Sequence, residues 1–336
     1  MVKWRTFNVD QFPQWVSTWD ELNGRTANSL LLDSTFVTPL LNHFSSGREL
    51  LALGFSGKQC VAATIVHKTG FGRWETFQPS QSPLGCWLCS SGENLQNLLD
   101  SLANALPGLT LAIGITQQDP ALLPRPNVTS RLTSLDYITT AKLHIPRDFG
   151  EYWKSRSKNV RQNVNRARNR LVKQGIDPTF EVISDADRME SMVGLYGTIE
   201  SEGWKSETGT AVAGNNAQGL FYTELLQLLA PGRAEIWRYR YNDDTVAMDL
   251  CLKQDDYLLI LKTTYDENWN RYSPAFSMHV DGIEHYSNSD LKSFEFYGPT
   301  MDWHRKLTDQ TRTMYHLNWY RFGFLKNTRR LRTWLS

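Results

Sequence analysis

One carboxylate stands where the chain is otherwise apolar: Asp249 interrupts the run Val246-Ala247-Met248-Asp249-Leu250-Cys251. A carboxylate placed inside an apolar strand has to be paired, exposed or functional, which makes Asp249 a candidate for proton transfer. Glu202 is a second candidate, at the end of a helical pattern and beside Trp204 and Lys205, where it is either a general base or a surface carboxylate. Lys262 follows an apolar run and is placed to pair with Asp249 or to meet a ligand. Tyr265 and Asp266 close the same run, Tyr265 as a proton donor or as a packing residue. His304, behind Asp302-Trp303, is a candidate contact for a substrate or a phosphate, against the alternative of a structural ring. The remaining feature belongs to the backbone. Ser273 suits an N-cap and Pro274 a first helical turn, ahead of Phe276, His279, Val280 and Ile283 at three- and four-residue spacing. Such a helix start collects unpaired N–H groups and partial positive charge, a seat for phosphate, although many capped helices bind nothing.

The elements that must position these residues alternate between helix and strand. Residues 257–266 read as a buried strand, 268–274 as a polar loop and 275 onward as a helix. Strands at 234–241, 245–253 and 293–297 join it in an antiparallel-rich sheet, with helices at 189–200 and 219–229. The first part of the chain follows a similar plan. It has helices at 11–23, 35–45 and 95–106, a hairpin at 49–55 and 60–68, and strands at 74–78, 84–88, 109–115 and 138–145. No residue-level repeat accompanies this likeness, and duplication rests on element order alone. Two domains are expected, 1–145 and 146–336. Residues 152–175 contain no acidic residue and read as one long basic helix with the apolar stripe Val160, Val164, Ala167 and Leu171. Its charge serves either a solvated face or an electrostatic platform for an anionic partner. From Trp319 onward basic residues mix with large apolar ones, which suits an anionic membrane surface or a last helix docked on its domain.

Composition narrows the classes. The 36 basic and 35 acidic residues leave a formal charge of +1, which argues against a protein devoted to nucleic acid. No stretch reaches the length of a membrane span, and Met1-Val2-Lys3-Trp4-Arg5 does not open a secretory signal. The four cysteines fit a reducing cytoplasm; Cys86 and Cys89, a lone C-x-x-C, read as buried thiols in preference to a zinc site. There is no G-x-S-x-G elbow, no phosphate-binding G-x-x-x-x-G-K-[ST] loop, no H-E-x-x-H and no dinucleotide fingerprint, so neither a metal enzyme nor a nucleotide hydrolase is expected.

An ordered set of segments resembles a known superfamily. Gly203-Trp204-Lys205 with Gly209-Thr210-Ala211, then 261–267, then Ser273-Pro274-Ala275, then Phe294-Glu295-Phe296-Tyr297-Gly298-Pro299-Thr300 with Asp302, is similar to the GNAT acyltransferases. The narrower resemblance is to the bacterial CelD-like acyltransferases found beside polysaccharide-synthesis genes, related to the Fem-type aminoacyl transferases. Ser157-Lys158-Asn159 and Arg161 of the basic segment fit the same pattern. The resemblance implies an α+β (α/β) fold of two tandem GNAT-like domains, each a mixed, mostly antiparallel sheet flanked by helices. It implies acyl-CoA, in the simplest case acetyl-CoA, as co-substrate, with no metal. Its pantetheine arm would lie where two neighbouring strands splay, and its pyrophosphate on the amides where strand passes to helix.

Mapped residue by residue, the resemblance implies cofactor contacts at Lys262, Ser273, Ala275 and Phe276, and substrate contacts at Trp204, Lys205, Asp266 and His304. Glu202, Asp249 and Tyr265 are the candidates for proton transfer. Two positions depart from the family pattern: Ala275 stands where glycine is usual, and His304 where lysine is frequent. The expected reaction is N-acyl transfer to an amine of a sugar or another cell-surface precursor, in the cytoplasm or at the inner membrane face. A Fem-type enzyme using aminoacyl-tRNA and a non-catalytic binding module of the same fold are the alternatives.

Overall fold

The computed structural model describes residues 2–202, 212 and 216–326. The chain divides into two compact units, Met1–Ile138 with Thr313–Ser336, and Thr139–Arg312. A single cut after residue 145 does not reproduce this division, because the last strand returns to the first unit.

The first unit opens with β1 (Lys3–Asn8), α1 (Val16–Arg25) and α2 (Ser34–Phe44), then β2 (Leu50–Ser56), β3 (Gln59–Gly70), β4 (Arg73–Thr76) and β5 (Trp87–Cys89). After α3 (Leu95–Ala105) come β6 (Ala112–Gln118) and β7 (Leu132–His144), whose end lies in the second unit. Gly57, with φ of +62°, makes the hairpin between β2 and β3. Leu98, Leu99 and Leu102 of α3 face inward against Trp74, Trp87 and Ile113, as their spacing predicts. Of the C-x-x-C pair, Cys86 is buried and its thiol is pushed up to about 12 by desolvation. Cys89 is only partly buried, contrary to expectation.

The second unit continues with α4 (Phe149–Ser155), α5 (Lys158–Lys173), β8 (Pro178–Ile183), α6 (Ala186–Glu202) and α7 (Ala217–Leu229). Then follow β9 (Ala234–Tyr241), β10 (Asp244–Gln254), β11 (Tyr257–Tyr265), α8 (Pro274–Tyr286), β12 (Ser293–Phe296) and α9 (Asp302–Leu307). Its strand order is β7-β12-β11-β10-β9-β8, antiparallel except where β11 and β12 run parallel. β13 (Thr311–Tyr320) closes the described chain and pairs with β6 in the first unit. Both units are therefore mixed, largely antiparallel sheets flanked by helices, the α+β class expected.

Two segments differ from their expected form. The basic stretch is two helices, because the chain turns extended at Arg156 and the Ser157 hydroxyl accepts the Val160 amide at 3.4 Å to start α5 afresh. Val160, Val164 and Leu171 are its buried stripe, as expected. Trp319 and Tyr320 lie in strand β13, not in a terminal helix. Residues 327–336, with Arg329, Arg330, Arg332, Leu331, Trp334 and Leu335, lie outside the described residues.

The core of the second unit is aromatic. Trp237 is fully buried, stacked on Tyr286 at 5.8 Å and met edge-on by Phe180 and Phe294. α8 approaches this ring only because position 282 is glycine: a Cβ there would fall 2.5 Å from Trp237 Cζ3. Gly282→Ala gains helix propensity of up to about 1 kcal/mol, but the clash forces repacking that costs about 1–3 kcal/mol. We expect a net loss of stability in urea denaturation; an unchanged or raised midpoint would contradict this packing.

Candidate functional site

The strand-to-helix passage is built as follows. Asp266 accepts the Asn268 amide at 2.9 Å and starts a short 3-10 turn, Glu267–Tyr272. Ser273 follows in the left-handed region, φ 50° and ψ 58°, and its side chain makes no cap bond. That conformation in a non-glycine residue costs about 1–2 kcal/mol. The first helical bond runs from Ser277 N to Ser273 O at 3.0 Å, so the Ala275 and Phe276 amides precede the ladder. Ser273 is thus the N-cap by position but not through its hydroxyl. The departure at Ala275 also has a physical resolution: the positive φ falls on Ser273, and Ala275, in helical backbone, has no need of glycine's freedom.

This start opens into a cleft of about 640 Å³, within the range of small-molecule sites. Its walls are Asn163, Arg166 and Arg170 of α5, Arg271, Ser273 and Phe276 at the start of α8, and Trp303 and Lys306 of α9. Among the described residues, none that lines the cleft is a carboxylate. The Arg271 guanidinium lies over the Tyr272 ring at 4.7 Å, and Lys306 over Phe276 at 5.8 Å. By contrast Arg168 is turned inward to Asp281, which also accepts the Tyr239 hydroxyl at 2.7 Å. Burial raises the Asp281 carboxyl despite the arginine. That ion pair fastens α5 to α8 and leaves the neighbouring basic residues to the cleft. Unpaired amides at a helix start, cations around them and no competing carboxylate fit a diphosphate-bearing ligand.

Behind the cleft wall lies the carboxylate singled out first. Asp249 is fully buried, and its Oδ2 meets His279 Nε2 of α8 at 2.8 Å. Asp249 Oδ1 and His279 Nδ1 find no hydrogen-bond partner among the described residues. Trp303 stacks on the His279 ring at 4.5 Å and forms part of the cleft wall. His279, read as a core residue, is buried as expected, but in a polar pair.

Lys262 does not pair with Asp249. Leu261 is an extra residue in β11: Leu250 faces Lys262 while Cys251 faces Ile260. The bulge turns Lys262 away from Ile260 and the α8 face, toward α6, where its ammonium lies 3.3 Å from Glu200. Glu200 also accepts the Val212 amide at 2.7 Å, and the rings of Tyr196 and Tyr222 stand 6.0 and 5.7 Å from the ammonium. The ladder between β11 and β12 covers only Tyr257–Ile260; past the bulge β11 stays paired with β10 but has no β12 beside it. Lys262 begins that stretch.

The other candidates scatter. Glu202 is exposed at the end of α6. Tyr265 packs partly buried on the core, and Asp266 is occupied in capping the turn. His304 is buried and does not line the cleft: its Nδ1 accepts the Met301 amide at 2.9 Å, its ring stacks on Trp303, and desolvation with the nearby His279 lowers its pKa to about 4. A neutral imidazole brings no positive charge to a phosphate. Trp204 and Lys205 lie outside the described residues.

Residues 158–305 match the family model described as an acetyltransferase (GNAT) domain. No curated protein matches the chain. Among solved structures, the C-terminal domain of a putative lysylphosphatidylglycerol synthetase from Agrobacterium fabrum is similar in fold, with 14% identity and a TM-score of 0.56 over 91% of this chain and 92% of that one. L-PGS from Bacillus licheniformis has 14% identity and a TM-score of 0.54 over 92% and 91%. FemX has 11% identity and a TM-score of 0.53 over 94% and 97%. Residues 158–305 are thus similar to acetyltransferase domains of the GNAT type, a match that spans less than half of the chain and supports an acyltransferase.

Proposed function

We propose that the enzyme moves an acyl group, in the simplest case acetyl, from acyl-CoA to an amine acceptor. The observation that carries this reading is the carboxylate-free basic cleft at the start of α8, inside the segment that matches the family. Bound there, acyl-CoA would supply the thioester. The amides of Ala275 and Phe276, with Arg271 and Lys306, would hold its diphosphate, and the pantetheine arm would follow the stretch of β11 that has no β12 beside it. Asp249, acting through His279, is our choice for accepting the amine's proton, with Tyr265 as a donor to the departing thiolate. The Lys262–Glu200 pair lies on the α6 face, which we assign to the acceptor. A sugar or other cell-surface precursor, met in the cytoplasm or at the inner membrane face, is the acceptor class we favour from the CelD-like resemblance.

The cations of the cleft also favour a second reading, in which a Fem-type enzyme takes aminoacyl-tRNA. Its binding would fall steeply with added salt. Titration calorimetry with acetyl-CoA separates the two. We expect heat at ligand concentrations below millimolar, and about tenfold weaker binding in Ala275→Asp, whose carboxylate repels phosphate but suits a helix start and so leaves thermal stability intact. Absence of heat at near-millimolar acetyl-CoA, with salt-sensitive tRNA binding, would overturn the first reading in favour of the second. No binding of either would leave a non-catalytic module.

A further inference from the structure

The α5 wall of the cleft carries more positive charge than a diphosphate at the start of α8 requires. Arg271 and Lys306 already stand beside that helix start, Arg271 two residues before Ser273 and Lys306 over Phe276. Arg166 and Arg170 add two further cations one helical turn apart, both exposed and both on the cleft. The other arginines flanking this face are committed: Arg161 donates to the Arg156 carbonyl at 3.2 Å, and Arg168 pairs with Asp281. Arg166 and Arg170 have no ion pair among the described residues, although like charges four apart on a helix repel. Asn163, on the same wall one turn before them, adds an amide.

We propose that Arg166, Arg170 and Asn163 form a subsite for a phosphomonoester distinct from the diphosphate, so that the enzyme selects 3′-phosphorylated CoA over its 3′-dephospho form. This rests on the acyl-CoA reading. A phosphomonoester carries close to two negative charges at neutral pH and presents three acceptor oxygens. Two guanidinium groups match that charge and offer forked donors to those oxygens. Of the phosphates on CoA, only the one on the ribose 3′ oxygen is a monoester apart from the diphosphate. The cleft holds both walls within one 640 Å³ space, so a nucleotide seated by its diphosphate at α8 would share that space with Arg166 and Arg170.

The test is titration calorimetry of the full chain with CoA and with 3′-dephospho-CoA, on wild type and on the double variant Arg166→Gln, Arg170→Gln. Glutamine keeps helix propensity, and circular dichroism checks that α5 is retained. We expect wild type to bind CoA about tenfold more tightly than dephospho-CoA, as befits charge-assisted hydrogen bonds at a partly solvated site. The double variant should bind both probes alike, at the wild-type affinity for dephospho-CoA. Equal affinities in wild type, or a preference that survives in the double variant, would overturn the subsite while leaving the acyl-CoA reading in place. Failure of both probes to bind would overturn that reading and the subsite with it.

Discussion

Lys262→Met is expected to destabilise the protein by about 3–5 kcal/mol, because it strands a buried carboxylate. Glu200 is 3% exposed, and its charge is held by the Lys262 ammonium at 3.3 Å and the Val212 amide at 2.7 Å. Methionine fills the space of the lysine stem but removes the cation that holds the buried Glu200 charge. The rings of Tyr196 and Tyr222 lose their cation as well. The remedy follows from the same cause. Glu200→Gln in the Lys262→Met background removes the stranded charge and should recover most of the loss, since a buried pair replaced as a pair is close to neutral. Thermal unfolding of the wild type, both single variants and the double variant gives the cycle directly. A shift of only a degree or two in Lys262→Met would mean that water or another group already compensates Glu200, and the pair would lose its claim to order the α6 face.

Much of this arrangement was legible in residue order, and the failures share a cause. The passage from β11 into α8 was readable because its signals are local: an apolar run, a polar break, then Ser273-Pro274 before a three-and-four spacing. The pairing of Lys262 was not, because it depends on one extra residue in β11. An alternating strand would have put Lys262 on the face of Ile260; the bulge at Leu261 reverses it, and nothing in Leu-Leu-Ile-Leu-Lys announces a bulge. Glu200 carried a signal that passes easily for noise. It continues the inward stripe Met189, Val193, Tyr196 of α6, so a carboxylate there had to face the sheet, whereas Glu202 two residues later had to face solvent. The basic cleft was half visible. The charges of α5 were plain, but that Arg168 turns inward while Arg166 and Arg170 line a cleft is decided by Asp281, far along the chain. His304 shows the reverse error, a residue type suited to chemistry but spent on capping its own helix.

The largest expected effect on turnover belongs to Asp249→Asn. The aspartate Oδ2 lies 2.8 Å from His279 Nε2; with an ionised carboxylate accepting from Nε2, Nδ1 is the nitrogen with a lone pair to offer. Asparagine can still accept that bond through its side-chain oxygen, so ring position and fold should survive. What it cannot do is stabilise the imidazolium that forms if the ring takes a proton, and positioned proton transfer is worth about a hundredfold or more in rate. The Trp303 indole, stacked on His279 at 4.5 Å, links this pair to the cleft wall. We therefore expect kcat to fall about a hundredfold, with the melting temperature and the Kd for acetyl-CoA near their wild-type values. A purely structural pair predicts the opposite pattern, a lowered melting temperature and an intact kcat in the fraction that remains folded. His279→Gln adds the complementary arm: it should show the same kcat loss, and combining the two substitutions should add little, because residues that act as a unit are not additive. Wild-type kcat in Asp249→Asn would remove the pair from the chemistry and leave the buried orphan atoms Oδ1 and Nδ1 as a cost of packing alone.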